Sequence, residues 1–335
     1  MSKPRVLVAG GAGYIGSTTA FRLQDLGFEV HLLDNLSTGY RELAGAGPLH
    51  EIDLLDEAGL DTLFSSFKFE AVLHFAAFIA VGESVTEPNM YYWNNVAGTV
   101  SLLRAMQRHG VRRIVFSSTA AVYGEPEHTP IDESHPLRPL SPYGWSKRMV
   151  EQILEDNERA HRLRFAALRY FNAAGSDPSG RCGEWHRPET HLIPVALRAA
   201  CGQGPELTVF GDDYPTRDGT CVRDYIHVCD LAEAHVLALN HLLDGGESLR
   251  CNLGSENGFT VREVIETVAR TTGMKVPFRT GSRRDGDPAV LIASSKSIRS
   301  KLGWTRERSE LERIVTDAWA WHKRMGFEGR TITSL

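Results

Sequence analysis

Cysteine is scarce in this chain, and what there is forms no framework. Cys182, Cys201, Cys221, Cys229 and Cys251 are odd in number and widely spaced, and no two have the spacing of metal ligands. A disulfide scaffold is therefore excluded, no metal site is expected, and reduced thiols in a cytoplasmic protein are the expectation. Long apolar runs are also lacking. The longest, Ala71 to Val81, is interrupted by His74 and falls well short of the roughly 20 residues that a membrane-spanning helix needs. The chain opens Met-Ser-Lys-Pro-Arg and passes directly into Val6-Leu-Val-Ala9, which leaves no room for a signal peptide. Nor is there a basic stripe. Lys and Arg number 37 against 42 Asp and Glu, for a net charge of −5, so nucleic acid and membrane surfaces find no electrostatic hold. An anionic ligand has to be held by a few placed groups.

What is present begins with size: 335 residues, 42% of them apolar, suffice for one large α/β domain or two lobes. Arg5 to Ala9 reads as a buried strand, and Gly10-Gly-Ala-Gly-Tyr-Ile-Gly16 as the turn into an amphipathic helix ending near Gly27. Glycines at 10, 13 and 16 let the backbone approach a pyrophosphate, which then rests on the N–H groups of the helix start. A second strand, Glu29 to Leu33, ends at Asp34, where a carboxylate can accept both hydroxyls of an adenosine ribose and would repel a 2′-phosphate. NAD is thus expected over NADP. The competing role for Asp34 is a turn residue ahead of Asn35, Ser37 and Gly39. Asp53-Leu54 could touch adenine or serve only as loop. Ala71 to Phe75 is the next strand, with small residues at its carboxyl end and a His74 that reads as structural. Pro88 to His109 reads as one long helix, from which Asn94 could reach inward.

Arg112 to Ser117 is a further strand, and Ser118-Thr-Ala-Ala-Val-Tyr-Gly124 leaves its carboxyl end with Thr119 placed to bond a sugar hydroxyl. Ser141-Pro-Tyr-Gly-Trp-Ser-Lys-Arg148 then starts a helix that Ser141 can cap and Pro142 can open. Tyr143 and Lys147 lie four apart on one face. A free phenol has a pKa near 10, and bringing it to neutrality needs roughly 4 kcal/mol in favour of the phenolate. One cation at about 4 Å supplies energy of that order in a semi-buried site, so Lys147 is expected to make Tyr143 a base.

These motifs, with Val81-Gly-Glu-Ser-Val85, Asn94-Asn95, Arg169-Tyr-Phe-Asn-Ala-Ala-Gly175, Asp218-Gly-Thr-Cys-Val-Arg-Asp-Tyr-Ile-His227 and Gly286-Asp-Pro288, run over nearly the whole chain. Together they resemble the extended short-chain dehydrogenase/reductase family, most closely its UDP-glucose 4-epimerase branch. The resemblance implies an α/β protein with a Rossmann-like doubly wound parallel sheet in 1–172, a return segment near 220–245, and a smaller C-terminal lobe in 173–335 that binds UDP-sugar. It implies tightly bound NAD, substrates UDP-glucose and UDP-galactose, and a homodimer paired through the helices Pro88 to His109 and Pro142 to His161. NAD would touch Gly10, Gly13, Tyr14, Ile15, Gly16, Asp34, Asn35, Leu36, Ser37, Thr38, Gly39, Asp53, Leu54, Phe75, Ala76, Ala77, Ile79, Asn94, Lys147 and Phe171. Substrate would meet Thr119, Tyr143, Asn172, His191, Leu192, Thr208, Val209, Phe210, Arg223, Arg284, Asp287 and Val290, with Thr119, Tyr143 and Lys147 catalytic. The two arginines also make sense independently, since a pyrophosphate in an acidic protein needs fixed bidentate cations.

Three positions depart from the family. Ile79 stands where some members have a lysine near the cofactor, His191 replaces an asparagine at the nucleotide end, and Val290 stands where some carry a tyrosine against the sugar's 2-position. The smaller side chain implies tolerance of N-acetylhexosamines. Among rival activities, a nucleotide-sugar 4,6-dehydratase needs an acid and a base where this chain has Ala120-Ala121. Epimerases of UDP-pentoses or uronates could share every catalytic residue, whereas an NAD-sensing protein has no use for Thr119, Tyr143 and Lys147. Beyond Asn172 the chain is turn-rich without low complexity. Tyr225 to Val228 reads as a strand, Asp230 to Leu243, Val261 to Thr271 and Leu311 to Arg324 as helices, and Trp319 and Trp321 as packing.

Overall fold

In a computed structural model describing residues 3–284 and 288–327, one seven-stranded sheet organises the chain. Its strands are β1 (Arg5–Ala9), β2 (Glu29–Leu33), β3 (Leu49–His50), β4 (Ala71–His74), β5 (Arg113–Thr119), β6 (Arg164–Tyr170) and an edge strand, Leu249–Leu253. Every pairing is parallel. The order runs from the edge strand through β6, β5, β4, β1 and β2 to β3, so the winding reverses between β1 and β4, the switch point where doubly wound sheets hold ligands.

The helices are α1 (Tyr14–Asp25), α2 (Glu57–Ser66), α3 (Val81–Thr86), α4 (Pro88–Tyr91), α5 (Gly98–Arg108), α6 (Pro142–His161), α7 (Leu192–Ala200), α8 (Val228–Leu243), α9 (Val261–Thr272), α10 (Lys296–Leu302) and α11 (Leu311–Met325). β1 shows why they lie on both faces. Val6 and Val8 point into one core layer, Leu7 and Ala9 into the other, and all four are fully buried; a strand apolar on both sides needs cover on both. On one face Leu23 of α1 and Leu231 of α8 supply it. On the other, Leu60 of α2, Leu102 of α5 and Val150 and Leu154 of α6 do. A smaller core joins Ile193 and Leu197 of α7 to Val264 and Val268 of α9 and Ile314 and Trp319 of α11. Trp319 and Trp321 both pack, the second against the main core.

Three features differ from the sequence reading. The strand expected over Ala71 to Phe75 ends at His74, and after a loop Val81 opens the short helix α3. The run from Pro88 is helical but contains a π turn over Tyr92–Ala97 between α4 and α5; the wider turn shifts the phase that a period of 3.6 predicts. The edge strand Leu249–Leu253 lies beyond the return segment expected at 220–245 and extends the same sheet.

α6 is fixed at both ends and in the middle. Ser141 accepts a bond from the Gly144 N–H at 3.1 Å, Pro142 opens the first turn, and Arg162 ends the helix in the left-handed region. Midway, Glu151 meets Arg169 of β6 in a two-pronged pair, Nε to Oε1 at 2.8 Å and Nη2 to Oε2 at 2.6 Å. Ser118 of β5 donates to the same carboxylate at 2.6 Å. Arg169 also donates to the Tyr123 hydroxyl at 2.8 Å, which in turn donates to Asn252 of the edge strand at 2.7 Å. Both charged side chains are essentially inaccessible, at 2% and 0% exposure. Breaking such a pair leaves a buried charge alone, so Glu151→Gln or Arg169→Met should each lower stability by about 3–5 kcal/mol in urea unfolding. Replacing both with apolar residues should cost less than either single change, and a double variant weaker than both singles would contradict this.

Candidate active site

Because every strand of the main sheet is parallel, the carboxyl ends of β1, β2, β4, β5 and β6 share one edge, and each leads into an expected site residue. After β1, Gly10 has φ +81°, and a Cβ there would lie 2.5 Å from the Ala76 nitrogen. A Cβ at Gly16 would lie 2.0 Å from the Gly10 oxygen. These two glycines are required by backbone contact alone. Gly13 is different: its Cβ position meets only the Gly10 oxygen, at 3.4 Å, and as the N-terminal cap of α1 it supplies no side chain. The first N–H groups of that helix, from Tyr14 and Ile15, are thus left for an anion, as a dinucleotide pyrophosphate requires.

At the end of β2, the buried Asp34 accepts the Ala12 N–H at 3.0 Å and the Leu36 N–H at 2.9 Å. Burial raises its carboxyl and these two bonds partly offset the rise. Each oxygen keeps a second acceptor site for a ribose diol. Around it Leu36 is held at φ 57°, and a Cβ on Gly39 would touch the carboxylate at 2.8 Å. Asp53 accepts from the Asn35 amide at 2.7 Å, so the two sides of the adenine end are tied together. At the end of β4, Phe75 packs its ring on His235 at 4.7 Å, and Ile79 is exposed. His74 bonds Thr99 at 2.8 Å, and burial depresses its imidazole to about 3, which keeps it neutral and structural.

Thr119 ends β5, and Tyr143 and Lys147 reach the same place from α6. The Thr119 hydroxyl stands near enough to the Tyr143 phenol to favour its ionised form. Lys147, buried, donates to the Ser117 carbonyl at 2.9 Å and lies 4.9 Å from the centre of the Phe116 ring. The expected lowering of the phenol by Lys147 is not what this arrangement gives. Burial raises Tyr143, and the Thr119 hydroxyl is what opposes the rise. Burial also brings Lys147 itself down to about 7. Its field at neutral pH is correspondingly weaker than that of a permanent cation.

The expected substrate residues fall in the smaller lobe and its seam with the sheet. Asn172 donates to the Asp224 carbonyl at 2.8 Å, and Phe171 packs against the small core around Val122 and Tyr123. On strand Leu207–Phe210, Val209 turns into the lobe core while Thr208 and Phe210 are half-exposed, so Val209 has only its backbone to offer. The guanidinium of Arg284 stacks over the Phe210 ring at 3.9 Å, joining two residues far apart in sequence. Val290–Leu291 pairs with Val222–Arg223, which puts Val290 and Arg223 on neighbouring strands. Leu192 begins α7 and His191 caps it. Asp287, like Gly286, lies outside the described residues.

Two sets of residues escaped the sequence reading. Asn94 is half-buried and gives its amide to Asn95 at 2.9 Å. Asn95 is the buried one: it clasps Phe78 through both N–H and carbonyl, at 2.9 and 3.0 Å, and bonds Ser146 of α6 at 3.1 Å. It thereby ties the loop after β4 to the turn between Tyr143 and Lys147. The second set is Glu184, His186, Glu189 and His191, whose ligand atoms all lie within 4.8 Å of one another. Burial opposes charge on each histidine, but the two carboxylates outweigh it, raising His191 and bringing His186 to about 10. Cysteine spacing, the signal for metal ligands taken from the sequence, gives none, whereas these two Glu-x-His pairs lie within a loop.

Fold and site together define a dinucleotide-binding enzyme of the doubly wound class with a Tyr/Lys pair at its switch-point edge. A sequence profile of the NAD dependent epimerase/dehydratase family matches residues 6–254, and the chain belongs to that family. It is 50% identical over 318 residues to a UDP-glucose 4-epimerase of Halalkalibacterium halodurans, covering 95% of each chain. Among solved structures it is similar to UDP-glucose 4-epimerase from Brucella ovis in complex with NAD, at TM-score 0.93 and 47% identity, covering 95% of this chain and 98% of that one. It is likewise similar to UDP-glucose 4-epimerase from Bifidobacterium longum in complex with NAD+ and UDP, at TM-score 0.91 and 37% identity, covering 96% and 100%.

Lys147 titrates at about 7 when folded against 10.5 when unfolded, so between those values the unfolded chain binds more protons and this residue's contribution to stability rises with pH. Urea unfolding of NAD-free protein should therefore show the wild type gaining on Lys147→Met from about pH 7 to about pH 10. Parallel profiles would count against a buried, depressed lysine.

Proposed function

We propose that this chain catalyses the reversible 4-epimerisation of UDP-glucose and UDP-galactose, in the cytoplasm and as a homodimer. The observation that carries the reading is the meeting of Thr119, Tyr143 and Lys147 at one sheet edge beside the glycine turn. The relatives named for this reaction, two of them with NAD or with NAD+ and UDP in place, support it. Among the described residues no helix is long and apolar enough to cross a membrane.

NAD, held by the α1 start, Asp34 and Lys147, would supply a hydride acceptor able to return what it takes. The chain's own part is to move a proton and to position the sugar. Tyr143 takes the proton of the 4-hydroxyl through its phenol oxygen. Thr119, close to that phenol, is placed to steady the same oxygen as it becomes a ketone. Lys147 uses one N–H on Ser117 and keeps two for ribose hydroxyls. Epimerisation requires the 4-ketosugar to present its opposite face, so the diphosphate must be held firmly and the sugar loosely. Arg223 and Arg284 serve the first need, and the small Val290, paired with Val222, serves the second.

The dimer reading rests on exposed apolar side chains on the two helices expected to pair. Trp93 is 65% exposed and Trp145 43%, with Met90, Val100 and Met149 also open; such a patch on a monomer surface marks an interface.

Without added NAD, product NMR on UDP-galactose should show turnover by the wild type and about a 10²- to 10⁴-fold loss in Tyr143→Phe, with bound NAD retained. Full activity in that variant would remove Tyr143 from the mechanism. In the same assay UDP-N-acetylglucosamine should also be turned over; good conversion of UDP-glucose with none of the acetylated sugar would refute the role given to Val290. For the dimer, Trp93→Glu should sediment as a monomer, and an unshifted dimer would place the interface elsewhere.

A further inference from the structure

We propose that Glu184, His186, Glu189 and His191 bind one zinc ion, which staples the loop leading into α7. The first argument is geometric. Tetrahedral zinc with bonds of about 2.0–2.1 Å to nitrogen and oxygen spaces its ligand atoms about 3.3–3.4 Å apart. Here His186 Nδ1 lies 3.4 Å from Glu184 Oε1 and 3.3 Å from Glu189 Oε2, and His191 Nδ1 lies 3.6 Å from Glu189 Oε1. Two edges of a zinc tetrahedron, both from His186 Nδ1, are thus in place, the 3.6 Å contact being to the other Glu189 oxygen, and all four ligand atoms lie within 4.8 Å of one another. The fourth contact, His191 Nδ1 to Glu184 Oε1, is a hydrogen bond at 2.5 Å and opens by less than an ångström when an ion replaces its proton.

The second argument is charge. The Glu184 and Glu189 side chains are only 2% and 7% exposed, while His186 and His191 are 22% and 42% exposed. Two carboxylates held this close away from water are balanced either by protons on both imidazoles or by one divalent ion in their place. A divalent ion on two neutral imidazoles and two carboxylates makes a neutral set. The imidazoles favour zinc over magnesium or calcium, which prefer oxygen alone. Four protein ligands leave no open position, so the site is structural.

The surroundings suit such a role. Glu189 Oε1 is oriented by the Thr190 and His191 N–H groups, both at 2.8 Å, as ligating carboxylates commonly are. The His186 ring meets Tyr14 of the glycine turn edge-on at 6.2 Å and His191 edge-on at 4.9 Å. A metal on Nδ1 also leaves His191 Nε2 available to the nucleotide.

The test uses tag-free full-length chain, incubated with zinc and then dialysed against metal-free buffer. Mass spectrometry of the metal should find about one zinc per chain, and cobalt loading should give the intense visible bands of a tetrahedral site. His186→Ala and Glu189→Gln should each hold at least about tenfold less zinc under the same dialysis, in keeping with the loss of a ligand. Less than about a tenth of a zinc per intact chain, absence of tetrahedral cobalt bands, or zinc retained in full by both variants would each overturn the proposal. Should a variant not fold, the zinc count and cobalt spectrum of the intact chain decide the question alone.

Discussion

The pair between Glu151 and Arg169 is the contact on which the geometry of the site depends. α6 carries both Tyr143 and Lys147, and Glu151 follows Lys147 by one helical turn. Through its two oxygens Glu151 is bound to Arg169 of β6 and Ser118 of β5, so the helix is registered against the two strands whose carboxyl ends form the pocket. A slide of α6 by a fraction of a turn would separate the phenol from Thr119. Apolar packing through Val150 and Leu154 could not prevent that slide, because a greasy interface is tolerant of small shifts, whereas a two-pronged ion pair with fixed distances is not. The cost is that two charges are taken out of water, and such a pair adds little net stability over an apolar one. Its return is position.

Asn95 performs the corresponding task at the top of the helix. It joins the loop following β4 to Ser146, which itself donates to the Tyr143 carbonyl at 2.7 Å. The first turn of α6 is thus held from one side by Asn95, from below by Glu151, and at its start by the Ser141 cap. Three independent polar contacts fix the turn that carries both Tyr143 and Lys147. The cofactor side is fixed by different means. At Gly10 and Gly16 it is close backbone approach that sets the shape, and no side-chain bond could substitute for it.

Much of this was legible in the sequence because it is local. A strand ending in a glycine turn, an Asp at the end of the next strand, a serine cap followed by proline, and a Tyr/Lys pair four apart are statements about neighbours in the chain, and the structure places these elements where the spacing puts them. What escaped was of two kinds. One was phase: the π turn over Tyr92–Ala97 adds to the turn what a 3.6 period cannot foresee, so that Asn95 and not Asn94 lies buried. The other was partnership across the chain. Glu151 with Arg169, 18 residues on, Arg284 with Phe210, and Val290 with Val222 lie on different elements of the chain. Their meeting follows from sheet order, which no single stretch encodes. The strand Leu249–Leu253 was missed for the same reason, since its role is defined by β6 beside it.

The phenol shows where a motif taken alone misleads. Spacing puts Tyr143 and Lys147 on one face, and two opposite charges at close range would stabilise each other. Yet burial acts on both in the direction of neutrality, raising one and lowering the other. Neutral phenol with neutral amine, and phenolate with ammonium, have the same total charge, so a pocket of low polarity does not forbid the second pair; it only demands that the two charges be close and that something further favour the negative oxygen. The Thr119 hydroxyl is one such contribution, and the cationic ring of an oxidised nicotinamide beside the phenol would be another. The base is therefore a property of the assembled edge, with strand, helix and bound dinucleotide all contributing, and a Tyr/Lys spacing transplanted to an isolated helix would remain an ordinary phenol beside an ordinary amine.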